Sequence, residues 1–291
     1  MKKSKLASAL LMAPFFLIMA VFMLGLADGI LQGFGYIPAF GLENLTVDYF
    51  RVVLTSPNLL KSIGISLYVA AVSAISATGL AVLLCFALVT LKRDRSGLYA
   101  VIRIPMFVPW VVTGLMMIHL LSGGGWLARL FSRMGLEVIA GAFGHVLHSP
   151  GQLGVIIAFI WACTPFACFL IQTIMSQVTD TLSEAAANLG AGLWRRFWNV
   201  TLPLCRPAIR NTFLILLVSC FGCYEIPAIL GMTAPRALPV EIYYQYTNQG
   251  LAHRPYAMAL NTVMLVLSLG LVGVVLMAGR RNRQKEAGNE D

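Results

Sequence analysis

Four stretches of this chain contain no charged residue for 22 to 30 positions: Leu6–Ala27, Ser62–Leu91, Ile104–Ala128 and Pro255–Gly279. About 20 apolar residues in a helix span the hydrocarbon core of a bilayer, so each stretch is long enough to form a transmembrane helix. The whole chain is 58% hydrophobic and only 11% charged, and its mean hydropathy is +0.80. These values exclude an ordinary soluble domain and indicate an integral membrane protein.

Two further crossings lie within longer apolar regions. One covers about Val155–Met175, and the other covers about Pro207–Gly231 in spite of Arg210 and Glu225. The sequence therefore predicts an all-α membrane protein with six transmembrane helices, in a single transmembrane domain over residues 1–291. The predicted helices cover about 7–30, 62–91, 102–121, 154–176, 207–231 and 256–279.

The basic residues are distributed unequally between the two predicted sides of the membrane. Fifteen of the 21 lysines and arginines fall on the side that holds both termini, and six fall on the other side: Arg51, Lys61, Arg129, Arg133, Arg236 and Arg254. Because basic residues collect on the cytoplasmic side, this asymmetry predicts cytoplasmic termini. It also accounts for the net charge of +9 without a nucleic-acid partner. A cleaved signal peptide is disfavoured, because the first apolar run is longer than a usual signal-peptide core.

The predicted cytoplasmic loop between helices 4 and 5, residues 180–203, contains the signals of a short helix. Thr181 and Glu184 have the spacing of a capping box. Three alanines follow, and Gly190 suits the left-handed conformation that ends many helices. These residues predict two helical turns followed by a sharp corner.

The second half of this loop predicts an interfacial helix. Trp194, Phe197 and Trp198 lie at helical spacing with two arginines between them. We expect Pro203 to end this helix, and Pro207 to lie in the first turn of the fifth transmembrane helix, where its missing N–H costs nothing.

The loop resembles the EAA motif of ABC importer permeases. The matching positions are Glu184-Ala185-Ala186, Gly190, Val200 and Leu202-Pro203, with valine at position 200 where isoleucine is usual. The similarity extends to Pro105–Gly114 and Tyr224–Gly231, and it is greatest to the spermidine/putrescine, iron(III) and thiamine branch of these permeases.

This resemblance implies a permease subunit of a type I ABC importer in a bacterial plasma membrane, with a coupling helix between helices 4 and 5. The implied partners are two copies of an ABC ATPase, a second permease that is identical or homologous, an extracytoplasmic substrate-binding protein and membrane lipid. Glu184 would cap or pair, Ala185 and Ala186 would allow close contact with the ATPase, and Gly190 would supply the turn. Leu202 and Pro203 complete the motif.

The chain carries no recognisable catalytic motif. None of its six lysines lies in a phosphate-binding P-loop, and the H-E-x-x-H and G-x-S-x-G patterns are absent. Cys220 and Cys223 form a single C-x-x-C, which predicts helix packing and not a metal site, because a closed zinc site needs four ligands. His119 is expected to be a hydrogen-bonded interior residue. We therefore predict that the chain is not an enzyme and has no cofactor or metal, and that an ATPase partner supplies the energy.

Glu225 is the candidate residue of the substrate path, together with its neighbours Tyr224 and Pro227. A carboxylate in a crossing is costly and usually faces a cavity, a partner or water, and a proline breaks the backbone near it. An anionic wall would favour a cationic solute of the polyamine type, such as spermidine or putrescine. Alternatively, Glu225 is hydrated at the outer helix end or paired with Arg236.

Other functions compete with polyamine import. Permeases for iron(III), thiamine, phosphonate and sulfate share the same motif and architecture. A gradient-driven secondary transporter is a different class, which we disfavour because the sequence has neither inverted repeats nor several intramembrane carboxylates.

Overall fold

The computed structural model describes residues 2–90, 96–178, 186, 190–248, 250 and 253–287. These residues are mainly helical, with one isolated β-bridge between Ile37 and Leu42. Six helical spans are long and apolar enough to cross a membrane: Leu11–Gly33, Pro57–Leu88, Trp110–Arg133, Leu153–Gln177, Leu193–Gly222 and Arg254–Met277. The predicted all-α architecture with six transmembrane helices is confirmed.

Thirteen α-helices are defined within the described residues. They are α1 (Lys2–Gly33), α2 (Asp48–Thr55), α3 (Pro57–Thr90), α4 (Ser96–Arg103), α5 (Trp110–Leu121), α6 (Trp126–Arg133), α7 (Glu137–Ala142), α8 (Leu153–Val178), α9 (Leu193–Arg196), α10 (Leu202–Gly222), α11 (Glu225–Leu230), α12 (Leu238–Asn248) and α13 (Arg254–Ala287).

The larger of two compact units consists of Lys61–Val240 and Leu267–Asp291. In this unit α8 packs against α5 and α10, and α11 packs against α5 and α8. A Cβ atom at Gly114 of α5 would lie 2.9 Å from the Cδ1 atom of Ile229. The close contact between α5 and α11 therefore depends on the missing side chain at position 114.

The smaller unit consists of Met1–Leu60 and Glu241–Val266. A Cβ atom at Gly33 would lie 3.2 Å from backbone atoms of Met258 and Ala259, so the end of α1 lies directly against the start of α13. The rings of Tyr49 and Tyr256 meet edge to face at 4.8 Å, which adds an aromatic contact between α2 and α13.

The third predicted crossing, 102–121, is interrupted in the structure. A 3₁₀ turn over Ile104–Phe107 follows α4, and Val108 is extended with φ −85° and ψ 120° before α5 begins. Pro109 explains the extended residue, because a proline disfavours the helical conformation of the residue before it.

The interfacial segment does not end at Pro203, so that prediction is wrong. α9, a π-helical turn over Phe197–Thr201 and α10 form one continuous helical run. Pro203 lies in the first turn of α10, where its missing N–H is tolerated, and the π turn lies where Pro203 would otherwise clash with the preceding backbone. Pro207 lies within α10 and not in its first turn.

The fifth predicted crossing, 207–231, consists of two pieces. α10 ends at Gly222, Cys223 is extended with φ −71° and ψ 128°, and α11 begins at Glu225. Pro227 cannot donate to the carbonyl of Cys223, and its ring would clash with that carbonyl in a continuous helix. The break therefore lies one turn before the proline.

Candidate functional site

The corner predicted in the loop is present at Gly190. This residue has φ +81°, in the left-handed region. The N–H of Ala191 donates to the carbonyl of Ala186 at 3.1 Å, which is the six-to-one hydrogen bond of a Schellman motif. Ala186 is helical, whereas Glu184 and Ala185 lie outside the described residues.

Gly190 is needed for its backbone conformation and not for space. A Cβ atom at this position would meet no atom within 4 Å, and the same holds for Gly192. Gly192, however, has φ −64° and ψ 158°, which any residue can adopt. The two neighbouring glycines thus differ only in the conformation that they impose.

The exit segment, defined as Leu193–Thr201, packs against the end of α3 through aromatic rings. Phe197 is only 4% exposed, and its ring centroid lies 4.3 Å from that of Phe86 on α3. The Trp194 ring lies 5.6 Å from the Phe86 ring. Leu202 and Pro203 follow at the start of α10 and are half-buried.

The residue before Phe86 links α3 to α8. The Sγ atoms of Cys85 and Cys168 are 3.3 Å apart, and the Cys85 thiol donates to the Cys168 carbonyl at 3.4 Å. α8 leads into the loop and the exit segment leaves it. The end of α3 therefore contacts both chain segments that flank the loop.

The break between α10 and α11 brings the substrate-path candidates together. Tyr224 and Glu225 are exposed, whereas Pro227 is buried. The thiol of Cys223 donates to Glu225 Oε2 at 3.3 Å. The carboxylate is thus exposed in this chain, at a point where irregular backbone is expected to be covered by protein or to line a water-filled cavity.

The other cysteine and histidine predictions have mixed outcomes. Cys220 and Cys223 contact different residues. The Cys220 Sγ lies 3.8 Å from the Cys163 Sγ of α8, whereas the Cys223 thiol donates to Glu225. His119 is exposed and not interior, although its Nδ1 is hydrogen-bonded to the Leu115 carbonyl oxygen at 2.9 Å. Over the described part of the chain, no cluster of three or more His, Cys, Asp or Glu residues could hold a metal ion.

Gln152 is a notable polar residue that the sequence analysis missed. It is 3% exposed, has φ +54°, and its Nε2 has no hydrogen-bond partner. It lines a small cavity between α3, α8, α10 and α11, together with Ser66, Val155, Cys220, Cys223 and Pro227. In the sequence, Gln152 is simply a polar residue just before an apolar run, and no local feature indicates that it is buried.

Glu241 of α12 was also missed. It is 9% exposed, and its Oε1 accepts a hydrogen bond from Gln245 Nε2 at 2.8 Å. Glu241 is the only acidic residue between Arg236 and Arg254 in the sequence, but no local feature there indicates that it is buried. A buried carboxylate is costly unless it is hydrogen-bonded, and the i, i+4 partner meets part of that requirement.

The described residues contain six long apolar helices and a sharp corner at Gly190 before the fifth, which is the architecture of a multi-pass helical membrane protein. Residues 84–283 match the family described as binding-protein-dependent transport system inner membrane component. The chain belongs to this family, which confirms the resemblance inferred from the EAA positions. It is a multi-pass inner-membrane protein, and its family consists of transport components and not of catalytic subunits.

Named relatives extend the comparison. The chain is 32% identical over 181 residues to the "Probable sulfate transport system permease protein cysT" of Chlorokybus atmophyticus, a match that covers 60% of this chain and 57% of that protein. It is 26% identical over 254 residues to the sn-glycerol-3-phosphate transport system permease protein UgpA of Brucella abortus, covering 84% of both. A chain of a bacterial ABC transporter for alginate import shares the fold, with a TM-score of 0.80, 20% identity and 96% coverage of both chains.

Proposed function

We propose that this chain is the permease subunit of an ATP-driven importer and that residues 180–203 bind an ATPase partner as a coupling helix. The observation that supports this most directly is the corner at Gly190. Its positive φ and the hydrogen bond from Ala191 to Ala186 occur at the glycine of the EAA spacing. A rigid corner would hold the preceding short helix at a fixed angle for docking.

Each residue of the motif has a physical role in this proposal. Glu184 caps the helix or pairs with the ATPase, while Ala185 and Ala186 allow close approach because their side chains are small. Leu202 and Pro203 begin α10, so a movement of the docked loop passes directly into a transmembrane helix. Closure of two ATPase subunits would then rotate the helices and open the pathway alternately to the two sides of the membrane.

Two further partners belong to the proposal. One is a second permease, identical or homologous. The apolar side chains of α1 support it, because the residues from Leu11 to Leu24 are all exposed in the chain and such a helix needs lipid or another subunit beside it. The other is a substrate-binding protein on the outer side, which the family description supports.

We place both termini in the cytoplasm. The support is the fifteen-to-six distribution of lysine and arginine under the positive-inside rule. An impermeant maleimide applied to intact spheroplasts should label a cysteine introduced at Arg254 and leave one introduced at Arg280 unlabelled, in a chain whose native cysteines have been replaced. The opposite pattern would invert the topology.

The solute has two candidate classes. The exposed carboxylate of Glu225 at the helix break supports the predicted polyamine, through charge attraction and the neighbouring Tyr224 ring. The sulfate and glycerol-phosphate permeases among the relatives support a second candidate, a small oxyanion. Competition experiments on the purified binding protein distinguish the two classes. Spermidine should displace the bound solute if it is a polyamine, and sulfate should displace it if it is an oxyanion.

The Glu225→Gln variant tests whether this carboxylate lines the path. For a polyamine, uptake should fall while the complex assembles and hydrolyses ATP normally. For an oxyanion, removal of the negative charge should leave uptake unchanged or increase it. Unchanged uptake of a cationic solute would remove Glu225 from the path.

The coupling role is tested by photo-cross-linking from position 188. A benzoylphenylalanine at Asn188, a loop position outside the EAA motif, should cross-link to the ATPase in native membranes. The matched control is the same residue at Leu45, which is 66% exposed and lies on the predicted outer side. Cross-links to the ATPase from position 45, or none from 188 in an intact complex, would contradict the proposal.

A further inference from the structure

Two tryptophans of the exit segment point away from the protein. Trp194 is 61% exposed and Trp198 is 49% exposed, and their ring centroids lie 5.6 Å apart at an angle of 68°. We refer to Trp194 and Trp198 as the indole pair. Phe197 between them is buried against Phe86. The segment therefore turns one aromatic ring inward and two outward.

The contact with Phe86 gives the depth of the indole pair in the membrane. Phe86 precedes Thr90, the last residue of α3, by four positions, or about 6 Å along the helix. The sequence becomes charged at Lys92 and Arg93. The uncharged run that ends there has 30 residues, about 45 Å of helix, which matches a bilayer with its headgroup regions. Trp194, beside Phe86, thus lies close to the boundary between acyl chains and headgroups.

The charge around the indole pair is positive. Arg195 lies between the two tryptophans in the sequence and is exposed. Residues 185–224 include four arginines and no aspartate or glutamate. Tryptophan is enriched at the membrane interface because its ring is apolar and its N–H is polar. A basic residue next to it adds attraction to anionic lipid phosphates.

We propose that the indole pair is seated in the headgroup layer and that Arg195 binds the phosphate of an anionic phospholipid. Lipid then anchors the exit segment, while Phe197 holds the segment against α3. This anchor fixes the end of the loop from which α10 begins. The proposal depends on the membrane location of the family and on the depth of Phe86, and it does not depend on ATP coupling or on the solute.

The test is fluorescence quenching by brominated phospholipids. The purified transporter complex is placed in nanodiscs of phosphatidylcholine and phosphatidylglycerol, and the emission of the W194F/W198F double variant is subtracted from that of the wild type. The difference spectrum belongs to the indole pair. We expect bromines near the headgroup to cause a larger loss of this emission than bromines near the chain ends. The W198F single variant, which keeps Trp194, gives a second measurement if the double variant is unstable.

Trp161 provides a depth control. It is half-buried and lies within the membrane-spanning part of α8, so its W161F difference spectrum should be quenched more by bromines near the chain ends than by bromines near the headgroup. In the Arg195→Gln variant, replacement of phosphatidylcholine by phosphatidylglycerol should no longer shift the emission of the indole pair. The Arg133→Gln variant should keep the shift.

Two results would overturn the proposal. The indole pair could be unquenched both in the complex and in the chain purified alone, which would exclude a lipid contact. It could also become quenched only after the ATPase has been stripped from the complex, which would assign the surface to the ATPase. Loss of ATP-driven transport with quenching intact would instead count against the proposed function alone.

Discussion

The ring centroids of Phe197, in the exit segment, and Phe86, near the end of α3, lie 4.3 Å apart. The next residue toward the start of α3, Cys85, contacts Cys168 of α8. One turn of α3 therefore contacts a helix that enters the loop and the segment that leaves it. This arrangement gives the loop a fixed base in the membrane domain.

Phe197→Ala should destabilise this base. Truncation of a buried phenylalanine typically costs about 3–5 kcal/mol, from lost burial and the cavity left behind. We expect a lower unfolding temperature of the detergent-solubilised chain and less co-purified ATPase. Phe197→Leu should retain most of the stability, and the exposed Trp198→Phe should change it little. Equal unfolding temperatures for the alanine variant and the wild type would contradict the packing described here.

Gly190→Ala should weaken the corner of the loop. A side chain in the left-handed region costs about 1–2 kcal/mol, which corresponds to a roughly five- to thirty-fold shift in equilibrium. We expect ATPase affinity, measured by titration onto the permease, to fall by a factor in this range.

The Gly190 series has two internal controls. Asparagine tolerates the left-handed conformation, so Gly190→Asn should restore much of the affinity. Gly192→Ala has equal space and an ordinary φ and should have almost no effect. If both alanine variants weaken binding equally, the corner conformation is not the cause.

Gln152→Met should stabilise the protein. The Nε2 of Gln152 is buried without a partner, and an unsatisfied buried donor costs about 1–3 kcal/mol. Methionine has a similar length and pays the same energetic cost at this positive φ. The difference in unfolding temperature between the variant and the wild type therefore reports the polar amide alone. We expect a higher unfolding temperature, with Gln172→Met on α8 as the control. A lower unfolding temperature would mean that the amide has a bonded partner in the membrane.

Mild oxidation should join Cys85 to Cys168. Their Sγ atoms are 3.3 Å apart, so copper phenanthroline, as the oxidant, needs only small movements to convert the two thiols into a disulfide. Mass spectrometry of the digested protein should detect the linked peptides, and Cys85→Ser should abolish them. Linkage of Cys168 to Cys205 in preference to Cys85 would place α3 differently.

The features that follow local rules could be predicted from the sequence. Four charge-free runs and two longer apolar regions indicated the six helices, and capping rules placed the left-handed corner at Gly190. The exit segment was misjudged because Pro203 was treated as a stop signal, although a first-turn proline allows a helix to begin. The break lies at Cys223 and not at Pro227, because the proline cannot donate to the carbonyl four residues earlier and clashes with it.

Contacts between residues distant in the sequence could not be predicted. Nothing near Phe86 or Phe197 indicates that they meet, because their pairing depends on how α3 and the exit segment pack. The burial of Gln152 and Glu241 likewise arises from neighbouring helices and not from local composition. In a chain this apolar, the local sequence does not indicate which of the polar residues near helix ends are buried.

The most direct test is gentle detergent purification of this chain from its native membrane, followed by native mass spectrometry. The account predicts a complex with two ATPase subunits and a second permease, and loss of the ATPase in the Gly190→Ala variant but not in the Gly192→Ala variant. Recovery of the chain without any ATPase, even after cross-linking from position 188, would contradict the coupling role and favour a gradient-driven carrier.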